Sequence, residues 1–161
     1  LIIFLGLKLA NFIVFVGLPL LLLSLPWWQI LIGYACMHMS AGIVISTVFQ
    51  LAHIVEGVKF EEPKNGQMQH DWVMHEMLTT SNFGIRSRLL TALVGGLNFQ
   101  IEHHLFPYVC HIHYPEISKI LRDLCKERDI PYNEHPTFLS ALKSHFRALK
   151  KLGREQNCFK L

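Results

Sequence analysis

From Leu9 to Val55 the chain carries no Lys, Arg, Asp or Glu, and Lys8 is the only such residue before Glu56. A soluble core does not need so long an uncharged run. One membrane crossing takes about 20 residues, so 47 uncharged residues suit two crossings joined by a tight turn. The spans fall at about Leu9 to Leu25 and Ile30 to Gln50, with Pro26-Trp27-Trp28-Gln29 between them. Paired tryptophans at such a turn fit the headgroup level, where amphipathic rings are favoured. Pro19 is positioned to kink the first span, while Asn11, His38 and Ser40 are polar groups expected to face protein.

A two-span hairpin puts both its ends on one side. Fourteen of the 15 Lys and Arg follow the second span and the other is Lys8, which assigns both ends to the cytoplasm. The chain is 51% hydrophobic with a net charge of +3. That charge is too small, and too free of basic runs interleaved with aromatics, to imply nucleic acid. The cysteines, Cys36, Cys110, Cys125 and Cys158, contain no Cys-x-x-Cys pair and fit a reducing compartment without disulfides. Cys110-x-x-His113 has no second pair at matching spacing, so it reads as structural and not as half a zinc site.

The chemistry is concentrated in Gln100-Ile101-Glu102-His103-His104, followed by Leu105-Phe106-Pro107. On a helix, positions 100, 103 and 104 share a face, and Pro107 ends the helix soon after them. The two imidazoles then point about 100° apart, so they can serve neighbouring metal ions instead of crowding one. Gln100 can bind a metal directly, through water, or act only as a hydrogen-bonding neighbour of the ligands. His53, at the membrane end of the second span, reads by itself as a capping or hydrogen-bonded histidine. His70 and His75 are five residues apart, a poor fit to one helical face, and are left out of the metal set.

These residues resemble the third histidine box of the integral-membrane fatty acid desaturases, in the form with glutamine at the first position. That form resembles the front-end subgroup, which inserts a double bond between an existing one and the carboxyl end of the acyl chain. The resemblance extends over the apolar hairpin, Gln50-Leu51-Ala52-His53, the stretch from Trp72 to Asn82, and the tail after Tyr114-Pro115. It implies a mostly α-helical membrane protein, with residues 1–55 as a transmembrane hairpin and residues 56–161 as a cytoplasmic helical region of the same domain. It further implies non-haem di-iron chemistry using O2, with His53, His103, His104 and Gln100 as metal-site residues. The substrate would be an acyl-CoA or lipid-linked fatty acyl chain, and the electrons would come from cytochrome b5 or a ferredoxin-type donor.

The family's two earlier histidine boxes do not occur in these residues, so the chain is expected to be the C-terminal part of a larger enzyme and inactive alone. In the resemblance, Trp72 shapes an acyl tunnel while Thr79, Thr80 or Asn82 orient ligands or water; by residue type alone, the Thr and Asn groups equally suit helix capping. Asn98 is a further candidate to support a ligand. Two alternatives remain: a related membrane hydroxylase acting on fatty acyl chains or sphingolipids, and a non-catalytic membrane-anchored interaction module.

Three further elements are expected in the second half. Residues 86–99 form an apolar run too short to span, read as an interfacial helix in which Gly95 and Gly96 allow close backbone approach. A helix from Pro115 repeats Ile117, Ile120, Leu121 and Leu124 at helical spacing. A last helix from about Pro136 is expected to bury Phe138, Leu139, Leu142, Phe146 and Leu149 and to present Lys143, Arg147, Lys150 and Lys151. That basic face is read as solvated in preference to a docking surface for an acidic donor or coenzyme A phosphates.

Overall fold

The computed structural model describes residues 1–60 and 63–158, without the side chains of residues 155–158. It is mostly helical and divides into two compact units, Leu1–Ser46 and Thr47–Leu161. The division falls within one long helix, whose residues Val48, Leu51 and Ala52 pack with Phe83 and Ala141 in the second unit.

In the first unit, α1 (Ile2–Phe12) continues through a π-helical turn, Ile13–Gly17, into α2 (Leu18–Leu22). Leu18 N–H donates to the Ile13 carbonyl across that wide turn. A proline ring clashes with the carbonyl four residues earlier, and a widened turn just ahead of Pro19 relieves this without ending the helix. The first apolar helix thus runs Ile2–Leu22, starting earlier than expected, and the second, α3, runs Trp27–His53. Both are long and apolar enough to cross a membrane. The Tyr34 hydroxyl donates to Asn11 Oδ1 at 3.0 Å, which gives Asn11 the protein partner expected of it. His38 Nδ1 donates to its own helix at the Tyr34 carbonyl, and both His38 and Ser40 are exposed in this chain.

The second unit begins with the end of α3 and contains α4 (Trp72–Thr79), β1 (Asn82–Phe83), α5 (Arg88–Leu93), α6 (Gln100–Leu105), α7 (Tyr114–Glu127), β2 (Glu134–His135) and α8 (Phe138–Cys158). Asp71 caps α4 by accepting the Met74 N–H at 2.8 Å. After α4 the chain threads the interior from Thr80 to Gly84, all buried. Ser81 N–H donates to the Ala52 carbonyl, and β1 pairs in parallel with β2. These ties bring the end of α3 against the segment that leads to the histidine box.

Several expectations are corrected. Residues 86–99 do not form one helix: α5 ends at Leu93, and Gly95 and Gly96 take φ of +60° and +77°, left-handed values that terminate it. The close approach holds at Gly96 alone, where a Cβ would stand 2.6 Å from His111 Cβ. On α7 the stripe at Ile117, Ile120 and Leu124 is half-buried or exposed; the helix turns Tyr114, Ser118, Leu121 and Cys125 inward, toward a cluster with Met77 and Ile101.

On α8 the expected face is reversed. Ala141, Ser144, His145 and Ala148 are buried, while Phe138, Leu139, Phe146 and Leu149 are exposed and Leu142 is half-buried. Small residues let the helix backbone approach closely, and polar ones fix its register. Glu56 N–H donates to Ser144 Oγ at 2.8 Å, and His145 Nδ1 donates to the Ile54 carbonyl at 2.7 Å. Cys36, Cys110 and Cys125 are free thiols; the Cys158 side chain lies outside the described residues.

Candidate metal centre

Helix α6 displays the box as its spacing requires. Its backbone closes from His103 N–H to the Phe99 carbonyl and from Phe106 N–H to the Glu102 carbonyl, and the helix stops before Pro107. His103 and His104 lie on it with ring centroids 5.7 Å apart. His53, the last residue of α3, brings its ring to 5.3 Å from that of His104. Three imidazoles from two distant parts of the sequence therefore gather within the second unit.

The Nδ1 atom of each ring has a neighbour. His53 Nδ1–H donates to the Thr79 carbonyl at 3.3 Å. His104 Nδ1 is 3.0 Å from Glu76 Oε2. His103 Nδ1 is 3.5 Å from the Tyr114 hydroxyl, where either atom can be the donor. With Nδ1 carrying the proton, Nε2 keeps its lone pair for a metal, and a carbonyl or carboxylate behind the ring fixes its orientation. Burial holds His104 below the usual histidine range, Glu76 acts in the opposite direction, and the His53 and His103 rings reinforce the lowering. A neutral ring is the form that can ligate.

The remaining sequence candidates divide. Gln100, the first residue of α6, is 1% exposed, and its Nε2 has no hydrogen-bond partner among the described residues. A buried amide donor left unpaired costs about 1–3 kcal/mol, so this NH2 end of Gln100 is suited to donate to a water or another acceptor. Thr79 contributes through its carbonyl, since its hydroxyl donates to the His75 carbonyl in its own helix. Asn82 is fully buried and supports α6 directly: Oδ1 accepts the Ile101 N–H at 3.0 Å, and Nδ2 donates to Glu102 Oε2 at 2.8 Å.

Thr80 and Asn98 are buried, and Trp72 is 55% exposed at the start of α4. Among the described residues, none of these three makes a hydrogen bond to the histidines; Asn98 Nδ2 donates to Thr91 Oγ1. Also among the described residues, no three His, Cys, Asp or Glu side chains are arranged as one metal-holding group. The donor types and fixed ring orientations suit a metal, but among the described residues the histidines stand side by side and are not closed around a single point.

Four contributors escaped the sequence reading: Glu76, Glu102, Tyr114 and Tyr132. Glu102 is fully buried, accepting the Tyr132 hydroxyl at 2.6 Å as well as Asn82 Nδ2. Burial raises its carboxyl above the usual range while those hydrogen bonds pull the other way. Burial and the neighbouring Glu102 in turn push Tyr132 up, so its hydroxyl stays protonated and able to donate. Tyr132 also bonds with Ser118 Oγ at 2.9 Å, tying α7 to the back of the box. A signal existed for Glu102, the sole acid between Glu76 and Glu116. Tyr132 offered none.

Comparison with known proteins places the chain. The fatty acid desaturase family model matches residues 4–136. The chain is similar to an sn-1 linoleoyl-lipid 6-desaturase of Synechocystis sp., 40% identical over 153 residues, which cover 93% of this chain and 42% of that protein. It is 45% identical over 120 residues to an acyl-lipid (8-3)-desaturase of Physcomitrium patens, covering 74% of this chain and 25% of that protein. A probable Delta(5) fatty acid desaturase C of Dictyostelium discoideum is 36% identical over 124 residues, 72% of this chain and 27% of the relative. The chain therefore spans less than half the length of each of these relatives. No solved structure matches. With the family model covering most of its residues, the chain belongs to the fatty acid desaturase family.

Proposed function

We propose that the protein carrying this chain is a membrane-bound di-iron front-end desaturase that places a cis double bond in a lipid-linked acyl chain. It would use O2 and two electrons from cytochrome b5 or a ferredoxin-type donor. The observation that carries this reading is the gathering of His53 and His103 about His104, with ring centroids 5.3 and 5.7 Å from that of His104, each of the three rings having a neighbour at Nδ1. The glutamine at position 100 and relatives named as 6-, (8-3)- and Delta(5) desaturases support the front-end assignment. Relatives named as acyl-lipid enzymes favour a lipid carrier over coenzyme A.

Bound iron would supply the oxidant needed to remove hydrogen from an unactivated methylene, which no amino-acid side chain can do. The protein's own part is to hold and orient. His53, His103 and His104 would offer Nε2; Thr79 and Glu76 keep two of these rings in the required tautomer; Gln100 offers its amide to the metal or to a water on it. Asn82 and Glu102 anchor α6, so that the box is presented on a rigid element. The hairpin would set this site at the cytoplasmic face, with Lys8 and the residues after His53 on that side.

The test is made in the intact protein. His103→Ala and His104→Ala should each lower bound iron and abolish desaturation. Gln100→Ala should lose more activity than iron if Gln100 acts beside the ligands and not as one. Full iron content with normal turnover in both histidine variants would reject the assignment.

A further inference from the structure

Helix α8 has three differently built sectors. Counting about 100° per residue, Ala141, Ser144, His145 and Ala148 fill the sector docked on the protein. Phe138, Leu139, Phe146 and Leu149 fill the next sector, and they are exposed by 37%, 65%, 63% and 43%. Lys143, Arg147, Lys150 and Arg154 fill the third, and no Asp or Glu occurs between Phe138 and Arg154. The apolar sector thus lies between the docked face and an unbroken cationic one.

We propose that α8 is an in-plane membrane anchor whose exposed apolar sector inserts into an anionic lipid surface beside the end of α3. The inference rests on reading α3 as a membrane span. Its first support is position: α8 is pinned by Ser144 and His145 to Glu56 and Ile54, one to three residues beyond the last residue of α3. Where α3 leaves the bilayer, α8 must lie close to the surface. The second is charge: Arg147 pairs with Glu56 at 3.5 Å, while Lys143, Lys150 and Arg154 form no ion pair among the described residues. A helix with an apolar sector edged by cations binds in the interface, its rings and methyls below the phosphates and its ammonium and guanidinium groups at them. Water does not compensate for exposing two phenylalanines and two leucines in one sector, and an apolar protein partner would not call for the cations.

The test uses the intact protein carrying this chain, reconstituted in vesicles containing phosphatidylglycerol, with its native cysteines replaced by serine. Nitroxide labels at Leu139→Cys and Phe146→Cys should collide more often with O2 than with a water-soluble nickel complex, at a depth about 5–10 Å below the phosphates. A label at Lys143→Cys should show the reverse preference, and one at Ile43→Cys, in the middle of α3, should be the deepest. Changing Lys143, Lys150 and Arg154 together to Gln should move the Phe146 label toward water, as should replacing phosphatidylglycerol by phosphatidylcholine. A Phe146 label open to nickel means a solvated face; one shielded from both reagents means a protein covers it. Either result, with the Ile43 label still in lipid, overturns the anchor. An Ile43 label in water overturns the span and the anchor with it.

Discussion

The two compact units are built inside out relative to each other. Leu1–Ser46 exposes its apolar side chains, such as Ile2, Leu21, Ile43 and Val44, and one of its few polar contacts between helices is Tyr34 to Asn11. Thr47–Leu161 buries polar groups: Thr80, Ser81, Asn82, Asn98, Gln100, Glu102 and Ser118 are all at most 1% exposed. In the first unit, hydrocarbon is the expected solvent, and hydropathy alone describes the design. In the second, the interior fixes polar side chains in defined orientations, and hydrogen bonds such as those among Asn82, Glu102 and Tyr132 do this better than apolar packing, which carries no directional preference.

The most severe way to break that contrast is at the ligands. His104→Ala in the intact protein should remove iron and desaturation together, because no neighbouring side chain can replace the lost nitrogen; iron analysis and product mass spectrometry measure both. The next effect is in the polar interior. Asn82→Ala leaves the Ile101 N–H unpaired and takes a donor from the buried Glu102 carboxylate, which should cost about 3 kcal/mol. Thermal unfolding in detergent should show a clear fall. A loss within error would mean that the network does not hold α6.

How much of this was legible depended on which solvent wrote the pattern. The spans, the end of α3 at His53 and the facing of the box follow from charge distribution and helical period, which are local properties. The resemblance points to the stretch from Trp72 to Asn82, but the roles of Glu76 toward His104 and of Tyr132 toward Glu102 are set by contacts 28 and 30 residues apart in sequence. No periodicity carries that information. On α8 the helical period identifies the element but not its docked face: bulk does not mark burial where the helix docks through Ala141 and Ala148, whose small size permits close approach. Between residues 86 and 99 an apolar run suggested one helix, and two left-handed glycines overrode it.

Packing gives an intermediate effect that sharpens the contrast between α8's two faces. Ala141→Leu adds volume where Ala141 meets Val48, Leu51, Ala52 and Phe83, and should cost about 1–3 kcal/mol by overpacking. Phe146→Leu, on the exposed sector, should leave unfolding in detergent nearly unchanged. In the first unit, Tyr34→Phe removes the donor to Asn11, and an interhelical hydrogen bond between apolar helices is worth about 0.6 kcal/mol. Its unfolding midpoint should therefore move less than that of Asn82→Ala, and a larger shift would show that the first unit also depends on polar contacts.

The smallest expected effect is a pH dependence confined to the second unit. His135, in β2, is half-buried, and its carbonyl accepts the Gly84 N–H at 2.8 Å. Burial holds its pKa below the ordinary 6.5, and Glu56 offsets only part of that. Because the folded value is the lower one, the unfolded chain binds the proton more readily. The stability associated with the neutral ring is full above the unfolded pKa and is lost as pH falls through 6.5 toward the folded value. Hydrogen exchange at the Gly84 amide should therefore lose protection as pH falls from about 7 to about 5, after correction for intrinsic exchange rates. His135→Gln, which cannot take up a proton, should flatten that loss, and Glu56→Gln should steepen it by removing the charge that eases protonation. Identical slopes in all three proteins would mean that the strand pair does not sense His135.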